Sequence, residues 1–60
     1  MEVWRIKSPD AERAVHVEIN AGTHTVHRAN AGLSYDIVGM TLRRLTEFCR
    51  EHHWKLQRLN

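Results

Sequence analysis

"RAVHVEINAGTHTVHRA", Arg13 to Ala29, is the stretch from which the rest of the chain is read. Val15, Val17 and Ile19 alternate with His16, Glu18 and Asn20, so an extended backbone puts apolar side chains on one face and polar ones on the other. A two-sided strand of this kind belongs to an antiparallel sheet with one wet face. "THTVHRA" is again rich in β-branched residues and reads as the next strand. Between them stands Asn20-Ala21-Gly22, and Asn and Gly tolerate the positive φ of tight turns. The reading is a hairpin. With Ala21-Gly22 as its loop, Asn20 faces Thr23, Val17 faces Val26 and His16 faces His27. With a longer loop and a bulge at Gly22, Val17 faces Thr25. The first register pairs apolar with apolar and is preferred, but a slip of one residue inverts a strand's faces.

The same alternation extends to both sides. In "EVWRIK", Glu2 to Lys7, Trp4 and Ile6 point one way and Val3, Arg5 and Lys7 the other. "SPDAE" follows as a turn, with Pro9 suited to open a short helical turn. A second Asn-Ala-Gly, Asn30 to Gly32, turns into "LSYDIV", where Leu33, Tyr35 and Ile37 alternate with Ser34 and Asp36. Neither triplet is a phosphate loop, because each has one Gly and neither joins a strand to a helix. From Gly39 the period changes. Val38, Leu42, Leu45, Cys49 and His52 follow steps of three and four, Phe48 flanks them, and Arg43, Glu47, Arg50 and Glu51 line the opposite face. Thr41 is placed as the N-cap. "WKLQRL", Trp54 to Leu59, either continues this helix or forms a final strand that pairs with "VWRIK".

The expected architecture is one α+β domain over residues 1–60. It is an antiparallel meander of three or four strands with one C-terminal amphipathic helix on its apolar face, and 54–59 is the candidate last strand. The expected core is Trp4, Ile6, Val15, Val17, Ile19, Val26, Tyr35, Ile37, Leu42, Leu45, Phe48, Cys49 and Leu56. A chain of 60 residues buries only about 60% of its unfolded surface. Its single Cys49 allows no internal disulfide, so a homodimer or a protein partner is expected. No apolar run approaches the roughly 20 residues of a membrane span, and "MEVWRIK" lacks the apolar region of a signal peptide. With a lone thiol suited to a reducing compartment, this reads as a cytoplasmic protein without a membrane partner.

Charge gives the first functional indication. Arg43, Arg44, Arg50, Lys55 and Arg58 stand against Glu47 and Glu51, so residues 41–60 carry +3 of a whole-chain +2. These five cations with Arg28 are the expected contacts to nucleic-acid phosphates, beside a sheet face rich in His and Thr that suits DNA or RNA. The pairs Arg43–Glu47 and Glu51–Lys55 are each four apart and draw on the same charge. Trp4 and Trp54, at alternating apolar positions, read as core rather than as stacking platforms. A small non-catalytic nucleic-acid-binding module is therefore the leading reading. A regulator that dimerises or binds a partner through an edge strand is the second.

Five histidines raise two chemical alternatives. His16 facing His27 would supply an acid and a base for RNA cleavage, with Arg28 holding the phosphate. Cys49 and His53 are four apart on a helix, and with His24 and His27 they offer zinc-type ligands. The odd separation of His24 and His27 sends them to opposite faces of a strand, and Cys49 reads as core, so neither metal nor cofactor is expected.

"GTHTVHR" followed by "GMTLRRL" resembles the HicA-type toxins, small messenger-RNA ribonucleases of double-stranded-RNA-binding-like fold. The likeness covers Gly22 to Leu45. It implies a Gly-Ser/Thr-His segment on a strand, with His24 as the catalytic histidine, and a Gly-Thr-Leu-Arg-like stretch opening the last helix. That family begins with a helix, whereas this chain begins with "EVWRIK".

Overall fold

A computed structural model of the chain describes residues 1–9, 14–30 and 37–60. Strands β1 (Glu2–Lys7), β2 (Val15–Asn20) and β3 (Thr25–Ala29) precede helix α1 (Leu42–Glu51) and strand β4 (Lys55–Arg58). The four strands form one antiparallel sheet in the order β3-β2-β1-β4. The α+β class, the single C-terminal helix and the strand reading of the last residues therefore hold. The expected strand over Leu33–Val38 falls largely outside the described residues, as do Tyr35 and the helical turn after Pro9. Of its end, Ile37 is buried, while Val38 is exposed in a turn and does not extend the helical stripe.

Alternation sets the core. Ile6, Val15, Val17, Ile19, Val26 and Ile37 pack with Leu45 and Cys49 of the helix, and each is at most 7% exposed. Trp4, Ala29, Met40, Leu42, Phe48, Trp54 and Leu56 lie half-buried around them. The ladder runs Val15–Ile6–Leu56 across three strands, so the helix covers one face of the sheet and the polar positions form the other.

The first hairpin differs from both expected registers. Its loop is Ala21–His24, Asn20 pairs with Thr25, and Ile19 pairs with Val26. Asn20 is the organiser: its Oδ1 accepts from the Gly22 and Thr23 N–H groups at 2.8 and 3.2 Å, and its carbonyl accepts from His24 N–H at 2.7 Å. The positive φ that the turn needs falls on His24 (56°), not on Gly22. The ladder then shifts between Glu18 and Ile19, with Glu18 opposite Arg28, which leaves His27 as the extra residue of a bulge. The bulge restores parity: Val26 and Ala29 both meet apolar partners on β2, Ile19 and Val17, although they are an odd number of residues apart. Asn30 closes the ladder by accepting from His16 N–H at 3.0 Å and donating its own N–H to His16 O at 3.1 Å.

Two caps define the helix. Thr41 has extended backbone and its Oγ1 accepts from Arg44 N–H at 3.1 Å. Its flanks hydrogen-bond the outer edge of β3, through Val26 N–H to Met40 O and Leu42 N–H to His24 O. Gly39, with φ 92°, makes the bend that brings them there and donates to Val26 O. At the other end His53 N–H donates to Arg50 O and Trp54 N–H to Cys49 O, the bonding of a Schellman motif. His53 fills the left-handed position (φ 59°) where glycine is usual, and Trp54 packs on Phe48 with ring centroids 5.4 Å apart. The stop therefore exists without the glycine that sequence rules look for.

These caps predict opposite effects. Thr41→Ala should lower stability by about 1 kcal/mol through loss of the cap. His53→Gly should raise it by about 0.5 kcal/mol, because relief of left-handed strain exceeds the added freedom of the unfolded chain. Urea unfolding of the two variants checks both signs.

Candidate nucleic-acid interface

The sheet face turned away from the helix is built from alternate residues of four strands. Register places Arg28, Glu18 and Val3 in one row, His16, Arg5 and Gln57 in the next, and Lys7 with Lys55 in the last. Arg28 Nε lies 3.8 Å from Glu18 Oε2, so its charge is shared within the first row. Arg5 donates from Nη2 to Gln57 Oε1 at 2.7 Å, a side-chain link across the β1–β4 ladder. Beyond it, Lys7 and Lys55 stand directly opposite each other. Ala14 is short where its neighbours are long, and the result is an open depression of about 420 Å³ lined by Arg5, Lys7, Ala14, Lys55 and Gln57. A second depression of about 270 Å³ adjoins it, lined by Lys7, Pro9, His53 and Lys55.

The six expected phosphate contacts do not share a surface. Lys55 lies on the outer sheet face, as does the Glu18-paired Arg28. Arg43, Arg44 and Arg50 are exposed on the helix, which covers the other face. Arg44 is bound into its own helix, with Nη1 at 3.6 Å from Glu47 and 3.2 Å from Glu51. Among the described residues these ion pairs replace the expected ones: Glu47 pairs with Arg44 rather than Arg43, and Glu51 is separated from Lys55 because the helix ends first. Arg58 stands opposite Trp4 at the end of β4, and its Nε donates to Asn60 O. Arg5, Lys7 and Gln57 were not among the expected site residues. The usable signal was the outward parity of "EVWRIK", combined with that of "WKLQRL" once the two are paired.

The histidines are rearranged by the new register. His16 stands opposite Arg5 on one side and Asn30 on the other, while His27 occupies the bulge, so the expected His16–His27 pair does not form. His24 is exposed at the end of the turn and not on a strand, where the HicA resemblance would place a catalytic histidine. Among the described residues no group of three or more His, Cys, Asp or Glu is arranged to hold a metal. Cys49 is 2% exposed, and burial raises its thiol pKa above the ordinary 9.0, which keeps it protonated.

The sheet edges are unequal. The start of β3 is covered by residues 39–42. β4 is the other edge of the sheet. Among the described residues no helix is long and apolar enough to cross a membrane. Comparisons of the chain with family models, with characterised proteins and with solved structures return no match.

Buried and held neutral, Cys49 should react slowly with a thiol reagent such as dithionitrobenzoate at pH 8 and rapidly in denaturant. Equal rates in the two conditions would show that the helix does not protect the thiol.

Proposed function

We propose that the protein is a non-catalytic module that binds nucleic acid through its phosphate backbone, and that it does so on the outer face of the sheet rather than on the helix. The supporting observation is the depression rimmed by Arg5, Lys7 and Lys55, three cations from two strands that come together only when the chain's ends pair. A phosphate seated between Lys7 and Lys55 gains charge-assisted hydrogen bonds from both ammonium groups and the guanidinium. The hydrogen bond to Gln57 restrains the Arg5 side chain and so lowers the ordering cost of binding. On the helix, Arg44 has two carboxylate partners.

Binding of a labelled oligonucleotide, followed by anisotropy across a salt series, tests the reading. The double variant Arg5→Gln/Lys55→Gln should weaken binding and flatten the dependence of log affinity on log salt by about one unit per cation removed. Arg43→Gln/Arg50→Gln on the helix should leave both unchanged. No binding at low salt, loss confined to the helix variant, or tighter binding of polyglutamate than of the oligonucleotide would each overturn the assignment.

A further inference from the structure

Resting on that reading, the geometry points to a narrower ligand class: we infer that the outer face takes single-stranded nucleic acid. The two depressions share Lys7 and Lys55 in their linings, one extending to Arg5, Ala14 and Gln57 and the other to Pro9 and His53. Arg5 and Lys7 are two residues apart on β1, about 7 Å along the strand. That is the order of spacing between successive phosphates in an extended single strand. The cations sit on an interior strand and its neighbour, within the sheet surface, and the helix lies on the opposite face. Major-groove readers of duplex DNA work differently: they insert a projecting helix or two-stranded ribbon.

Two exposed imidazoles accompany these cations: His16 stands directly opposite Arg5 on β2, and His53 lines the second depression. Imidazoles serve as stacking surfaces for unpaired bases, which a duplex does not offer. A charged groove that tracks the backbone, with rings that receive the bases, is the general construction of single-strand binding surfaces.

The test uses the full chain with oligonucleotides of one length as single-stranded DNA, single-stranded RNA and duplex DNA, each across a salt series. Both single strands should bind more tightly than the duplex, with comparable affinity for DNA and RNA. His16→Ala and His53→Gly should each weaken single-strand binding roughly fivefold or more while leaving the salt slope unchanged, because stacking releases no counterions. His53→Gly removes the ring while relieving backbone strain, and circular dichroism melts establish that both variants are folded. Duplex bound as tightly as single strands, or unchanged affinity in the folded histidine variants, would overturn this inference and leave backbone binding standing. Failure of all three nucleic acids to bind at low salt would overturn both.

Discussion

The pairing of the chain's two ends is the interaction on which the rest depends. β1 is hydrogen-bonded on both sides, to β2 and to β4, and Ile6 lies between Val15 and Leu56 at 2% exposure. Without Lys55–Arg58 returning to β1, the sheet would have β1 as an unpaired edge. The half-buried Trp54 and Leu56 would also lose their place against the core. Closing the sheet with Lys55–Arg58 therefore adds apolar burial that the first three strands do not supply alone.

The same pairing creates the candidate interface. Parity in β1 and β4 means that every apolar residue directed to the core sends its neighbour outward, and those neighbours are Arg5, Lys7, Lys55 and Gln57. The core and the cationic face are two consequences of one register. The helix then separates the cations into two populations. Those on its exposed face stand apart from the sheet's outer surface, and Arg44 is tied to Glu47 and Glu51. Charge counted along the C-terminal third therefore overstates what any single ligand meets.

Much of the fold was legible because local rules and tertiary packing agreed. The alternation of Val15, Val17 and Ile19, the three-four stripe through Leu45 and Cys49, and the cap at Thr41 all describe what these residues do. The hairpin was less legible. Asn-Ala-Gly was correctly a turn, but Asn20 acts through its side-chain oxygen rather than through positive φ. The left-handed residue is His24, which no turn rule selects. A bulge at His27 then compensates for the longer loop, a choice that depends on which residues of β3 meet Ile19 and Val17. That shift removes the histidine pairing on which the catalytic alternative was built.

The sequence by itself determined the class of each segment, the faces of its strands and the apolar stripe of its helix, because these follow from side-chain periodicity within a few residues. Only the tertiary structure decided which outward residues stand together. Arg5 and Lys55 are fifty positions apart, and nothing local relates them. They become neighbours because β4 pairs with β1 in the register that sets Leu56 against Ile6, and that register carries the cations on either side of it into one depression.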